Sequence, residues 1–372
     1  KPGAALPPGA RVLAERLTAQ LLAGAPAGGP VAVARRLLAV QGQDPRGARL
    51  AIRSRTTGLT AADVDRALTH ERSLVITWLN RGTLHLVASE DYPWLHALTA
   101  PTLFTASARR LSQEGVNPAA AERGVAAIER ALEREGPLDR AQLRERIDAA
   151  GVRTEGQALV HLLLLASLRG AIVRGPMHGA QHAYVLARDW LGVPERVDRE
   201  RALAELARRY LAGHAPADDR DLAKWSGLPL RDVRAGLGAI ASELRERDDG
   251  LLELSKRLVP GATPARGSAS SPGRGLALSP PELPPPRLLG AFDPVLLGWR
   301  SREALLDANH QRIVTTNGIF RPFALVKGRA VATWTLTAGK VVLKPFAALA
   351  RSDEWALQAD AQDVVRYLGV GV

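Results

Sequence analysis

The chain contains no cysteine in 372 residues. That absence excludes disulfides, thiolate catalysis, zinc–cysteine sites and iron–sulfur clusters together. No run reaches the ~18 apolar residues that a membrane-spanning helix needs. Lysine is scarce: among 50 basic residues only Lys1, Lys224, Lys256, Lys327, Lys340 and Lys344 are lysines. The GxxxxGK[ST] phosphate loop, the GxGxxG dinucleotide fingerprint, HExxH and the GxSxG nucleophile elbow are missing as well. The opening KPGAALPPGARV lacks the apolar stretch of a signal peptide and reads as a trimmed terminus. The expectation is a cytoplasmic protein without metal or cofactor.

What is present is positive charge. Fifty Lys and Arg against 38 Asp and Glu leave a net +12, which favours an anionic partner, most simply nucleic acid. Arginine suits phosphate and guanine through its planar donor fork, although GC-rich coding explains an arginine preference equally well. The length accommodates about two to four domains of ~100–200 residues.

Three stretches share one order of elements. Ala10 to Leu22, Val31 to Val40 and LTAADVDRALTH (with Thr60 as N-cap) have helical spacing. SLVITWLNRGTLHLV then reads as a hairpin turning at Asn80-Arg81-Gly82. The order returns in a helix Pro118 to Glu135, LDRAQLRERIDAAG, the apolar GQALVHLLLLASLRG, and AIVRG and HAYVLARDW around the turn GPMHGAQ. It comes a third time in Arg199 to Leu211, the helix–turn–helix DLAKWSGLPLRDVRAGLGAI, and the strand LLELSKRLV. The predicted fold class is α+β, mainly α: winged helices over 9–100, 118–192 and 197–260. A Pro/Gly/Ser-rich linker follows over 261–286, then a C-terminal β-rich unit over 287–372 with turns at Asn317-Gly318, Lys327-Gly328 and Gly339-Lys340 and a closing helix Ser352 to Leu368.

Within AVQGQDPRGARLAIRSR, Gln41 and Gln43 are separated by one glycine and followed by Arg46, Arg49, Arg53 and Arg55. Residues i and i+2 share a face only in extended or turn backbone, so Gly42 and the Asp44-Pro45 pair allow both amides to point one way. Taken alone, such a pair caps a helix or bonds local backbone. If Pro45 starts a helix, Arg49 and Arg53, with Arg46, share a face as a phosphate-binding edge; the plain alternative is a solvated surface. His178 and His182 fall in a turn with no carboxylate nearby in sequence, as a wing tip that is either solvated or touches nucleic acid. His85 lies on the opposite face of its strand from Leu84 and Leu86.

Gln41-Gly42-Gln43, RGTLHLV and the late block LLGAFDPVLLGWRSREALL … NGIFRPFALVKGRAVATW together resemble the winged-helix superfamily of bacterial DNA glycosylases that unhook interstrand crosslinks, in its AlkZ-type QxQ branch rather than the QxD branch. The resemblance runs from about Arg11 to Trp334 and is most specific over Leu288 to Trp334. It implies hydrolysis of the N-glycosidic bond of N7-alkylated purines, unhooking of azinomycin B-type crosslinks, DNA repair and self-resistance to that toxin. It makes Gln43 the residue that positions water and Gln41 the residue that helps hold the water and the sugar. Arg46, Arg49, Arg53, Arg55, Arg81, His178, His182 and Arg321 are the candidate DNA contacts. Phe292, Trp299 and Phe320 are core candidates. Asp44 reads as a turn residue first. No lysine lies near the motif in sequence, so no lyase step is expected. Double-stranded DNA with such adducts is the expected partner, bound by a monomer. The competing reading is a winged-helix transcription regulator without catalysis; a toxin-sequestering protein is a third.

Overall fold

A computed structural model describes residues 7–179, 181–255 and 282–370. The first block runs α1 (Pro8–Ala19), α2 (Pro30–Leu37), β1 (Val40–Gln41), α3 (Pro45–Arg53), α4 (Ala61–Thr69), β2 (Leu74–Leu79) and β3 (Thr83–Ala88). Asp44 caps α3 by accepting from the Gly47 amide at 2.7 Å, and Pro45 takes the first helical position. Thr60 and Asp63 form a capping box on α4. Two connecting helices, α5 (Tyr92–Thr99) and α6 (Phe104–Gln113), lead to the second block: α7 (Pro118–Glu135), α8 (Arg140–Ala149), α9 (Ala158–Leu168), β4 (Ile172–His178) and β5 (Gln181–Leu186). After a short α10 (Ala187–Leu191), the third block comprises α11 (Arg199–His214), α12 (Asp219–Ser226), α13 (Leu230–Ala239), β6 (Leu244–Glu246) and β7 (Leu252–Leu254).

The three blocks share a connectivity finer than the sequence order. In each, a residue or short strand lying between two helices pairs with the last strand of the hairpin. It is β1 on β3 in the first block, Leu138 on Tyr184 in the second, and Ala217 on Leu252 in the third. The blocks do not enclose separate cores. Ile76 of β2 pairs with Arg174 of β4, which joins two hairpins into one five-stranded sheet of order β1-β3-β2-β4-β5. Val75, Leu79 and Val87 on one face of it pack with α11 and C-terminal residues such as Leu289 and Phe323. Ile76, Trp78 and Leu86 on the other face pack with α7 and α9. Burial on both faces is why LVITWL is apolar almost throughout rather than alternating.

The hairpin β4–β5 is longer than the sequence suggests. The stretch read as the turn GPMHGAQ is mostly strand, with a register shift between Arg174 and Met177 that absorbs Gly175 and Pro176. Residues 256–281, including most of the predicted linker, lie outside the described residues.

The C-terminal part holds β8 (Arg287–Leu289), α14 (Glu303–Leu306), α15 (His310–Ile313), β9 (Phe323–Val326), β10 (Arg329–Thr337), β11 (Lys340–Pro345) and α16 (Arg351–Leu368), with a four-stranded sheet of order β11-β10-β9-β8. The turn expected at Asn317-Gly318 is present, with Gly318 at φ +73, but it is flanked by α15 and a single bridge, Val314 to Phe320, rather than by strands. The last hairpin turns one residue earlier than read, at Ala338-Gly339, where both residues have positive φ. Lys327-Gly328 turns as expected.

The segment 287–302 joins the first block to the third. A Cβ on Gly47 would collide with the Ala291 carbonyl oxygen, so α3 crosses this segment backbone to backbone. On the other side, the Tyr210 hydroxyl donates to the Gly298 carbonyl (2.7 Å), the Trp299 indole to the His214 carbonyl (2.9 Å), and the Arg300 amide to Asp221 (3.0 Å). No described helix is long and apolar enough to cross a membrane.

Candidate active site

The QGQ motif lies on and just beyond β1, between α2 and α3. The Gly42 amide donates to the Leu84 carbonyl at 2.7 Å, so Gln41 and Gln43 flank a hydrogen-bonded position on an extended edge. Gln43 is exposed, and its Oε1 accepts from the Leu84 amide at 2.9 Å. One lone pair of that oxygen is thereby engaged; the second, and the NH2 group, stay available. Gln41 is 5% exposed, and its buried Oε1 has no hydrogen-bond partner among the described residues. Gly42 has no left-handed backbone, and a Cβ there would make only ordinary contacts with Ile76 and Leu86. The extended strand, not glycine's freedom, aligns the two amides.

Both glutamines line one cavity of about 420 Å³. Its walls come from three parts of the chain: Arg81 and Thr83 from the first hairpin, Lys224 from α12, and Phe292, Leu297, Trp299, Arg302 and residues 317–320 from the C-terminal part. Three cations stand there, and among the described residues no Asp or Glu lines the cavity. Arg81 donates to the carbonyls of Lys224 (3.1 Å) and Trp225 at the end of α12. Arg302 lies 5.1 Å from the Phe320 ring centre. Burial holds the pKa of both guanidinium groups below the usual arginine value, with Arg302 adding to the effect at Arg81. The site therefore offers neutral amides, aromatic surface and positive charge, and, among the described residues, no general base of carboxylate type.

A model of the AlkZ-like DNA glycosylase family matches residues 34–367. The chain belongs to the AlkZ-like DNA glycosylase family. Among solved structures it is similar to the Streptomyces sahachiroi DNA glycosylase AlkZ, with TM-score 0.75, 24% identity, and 97% of this chain and 96% of that chain covered. No curated protein sequence matches.

For a member of this family, several residues expected at the DNA stand elsewhere. Arg53 is 2% exposed and held by Asp360 (2.8 Å), Asp363 (3.0 Å) and the Leu288 carbonyl. Arg55 is 1% exposed and forms a two-pronged pair with Asp293 at 2.8 and 2.9 Å. Their sequence neighbourhood holds one acid, but α16 and the 287–302 segment bring the others. Neither guanidinium is open to a phosphate. Arg49 is also buried, against Asp65 and the Pro45 carbonyl. Arg46 is exposed, beside a second cavity of about 280 Å³ that Arg49 and His182 also line. His182 is partly buried there, its pKa lowered to about 4 chiefly by burial and then by Arg49. His178 is exposed, with Asp139 3.8 Å away. The hairpin tip 80–82, which carries the candidate DNA contact Arg81, packs on the turn after α12: a Cβ on Gly227 would stand 3.1 Å from the Asn80 carbonyl oxygen. Arg321 is exposed and donates to the Arg312 carbonyl. Asp44 is the α3 cap and is absent from the cavity wall.

Phe292, Trp299 and Phe320 line the cavity; Trp299 and Phe320 also belong to the core, on which Phe292 packs. Sequence reading missed Lys224, Thr83 and Arg302 at the site. The one signal for Lys224 was its rarity, as the sole lysine between Lys1 and Lys256. The expectation that no lysine is near the motif holds along the chain and fails in space.

Proposed function

We propose that the chain is a monofunctional DNA glycosylase for N7-alkylated purines that unhooks interstrand crosslinks of the azinomycin B type, acting as a monomer on duplex DNA through three winged-helix units. Gln41 and Gln43 are its catalytic residues. The observation that carries this is the pair of carboxamides converging on one cavity whose described charged wall residues are all cationic, in a chain of the AlkZ-like DNA glycosylase family.

Alkylation at N7 makes the base cationic and already a good leaving group, so strong acid or base help is unnecessary. What remains is to hold the nucleotide, stabilise the oxocarbenium-like sugar and aim a water at it. A carboxamide oxygen accepts from that water and offers partial negative charge to the sugar. The free lone pair of Gln43 and the amide of Gln41 suit this work. Arg81, Lys224 and Arg302 suit the phosphates that flank the lesion, not a cationic base, so the sugar–phosphate edge is what enters the cavity. A tethered base then need not be swung out fully, as ordinary base flipping requires.

The test is single-turnover release of base from duplexes carrying an N7-alkylguanine or an azinomycin-type crosslink. Release is expected, and Gln41→Ala or Gln43→Ala should slow it about 10²–10³-fold. Borohydride should trap no protein–DNA adduct; an adduct lost in Lys224→Ala would replace the monofunctional reading. Absence of release at enzyme excess would sink the proposal and favour the regulator.

A further inference from the structure

Behind Gln41 lies a row of polar side chains that the proposed chemistry has not used. Gln41 on β1 pairs with His85 on β3, and His85 pairs with Thr77 on β2. Cross-strand partners share a face, so the three stand side by side across the sheet, inside a largely apolar core. Because Gly42 donates to Leu84, the neighbouring Gln41–His85 pair is a non-hydrogen-bonded one, in which side chains come closest, with Cα atoms about 4.5 Å apart. His85 is 3% exposed and Thr77 is 1% exposed. Gln41 Oε1 and Thr77 Oγ1 are both buried without a partner among the described residues.

The tautomer of His85 follows from one distance. Its Nδ1 lies 2.9 Å from the Thr83 carbonyl oxygen. Two acceptors cannot meet at that separation, so Nδ1 carries the proton and donates it. Nε2 is then an unprotonated acceptor, and the ring is neutral. Burial, with Arg81 nearby, pushes the pKa down to about 3, which keeps it neutral at any working pH.

We infer that His85 is a positioning residue that sets which end of the Gln41 amide faces the substrate. The amide turns about its terminal torsion. With Oε1 inward, an acceptor faces the acceptor Nε2 and gains nothing. With the NH2 inward, it donates to His85 Nε2, and Oε1 turns out to the cavity, where a water or the sugar meets it. A neutral histidine with its lone pair toward Gln41 thus converts an ambiguous amide into a fixed acceptor. This rests on the glycosylase reading and on Gln41 as a catalytic group.

His85→Phe keeps a flat ring and removes both nitrogens; His85→Gln restores an acceptor near Nε2. Single-turnover base release should fall about 10–100-fold in His85→Phe, the size expected when a reacting group is misplaced, with DNA affinity unchanged. His85→Gln should return to within about threefold of wild type, since the acceptor is back where Gln41 needs it. In a Gln41→Ala background His85→Phe should have no further effect, because its action passes through Gln41. If His85→Phe matches wild type while Gln41→Ala is slow, this inference falls and the glycosylase reading stands. If wild type releases no base, that reading falls first. Nitrogen NMR of histidine-labelled wild-type protein decides independently of any variant's folding. His85 should show a protonated Nδ1 and a bare Nε2 from pH 5 to 9, and an Nε2–H tautomer or an imidazolium would overturn the assignment.

Discussion

Two sets of cations surround the QGQ motif, and they behave oppositely. Arg53 and Arg55 follow it closely in sequence, yet both are sealed inside, matched to Asp360, Asp363 and Asp293. Arg81, Lys224 and Arg302 lie far from it in sequence, yet they share its cavity without a carboxylate among the described wall residues. A guanidinium buried with its counter-charge fixes the relative position of two segments. A cation left on a cavity wall without an acid retains its attraction for an incoming anion. Proximity in sequence therefore pointed to the wrong arginines, because the acids that neutralise them come from the other end of the chain.

The largest effect should come from the buried side of this contrast. Asp293→Asn leaves Arg55 charged and unmatched where neither side chain touches solvent. A loss of about 3–5 kcal/mol is expected, measured by urea unfolding, with cleavage failing only where the fold fails. If Asp293→Asn is as stable as wild type, the pair does not hold α3 to the 287–302 segment.

A second effect, tunable by pH, concerns the buried histidines. Burial pushes His85 and His214 to about 3. The native protein binds a proton at neither until about pH 3, whereas the unfolded chain takes up both below about pH 6.5. Stability should therefore fall as pH drops below that value, by about 1.4 kcal/mol per pH unit for each histidine. Denaturation midpoints at pH 7, 6 and 5 read this slope, and a flat profile would contradict it.

The smallest effect belongs to the cavity wall. Lys224→Ala should leave the melting temperature unchanged and weaken binding to duplex DNA. It should also lower the slope of log affinity against log salt by about 0.9, one phosphate contact. The matching change at Arg46, exposed outside this cavity, tests whether the sequence-adjacent arginine acts on DNA at all; equal slopes for the two variants would erase the distinction drawn above.

Much of the local structure was legible. The cap read at Thr60 marks a helix start, closed with Asp63 into a capping box. The Asn80-Arg81-Gly82 turn and the helix Pro118–Glu135 fall where spacing put them. These are short-range matters, settled by a few neighbouring residues. The two glutamines, too, could be picked out as a pair, since an extended i, i+2 spacing needs no distant partner. Their differing states could not. The Leu84 amide that holds Gln43, the histidine beside Gln41, and the lysine across the cavity are 41, 42 and 181 positions from the nearer glutamine, Gln43.

The sequence by itself determined most of the helix and strand order of the three repeated stretches, the basic charge and the QGQ pair, because each depends on local propensity or simple sums. Only the tertiary structure decided which charges are neutralised, which glutamine oxygen is occupied and which cations face the cavity. Those outcomes depend on groups brought together by folding, where burial leaves a polar atom no water to fall back on and makes its partner, or lack of one, decisive.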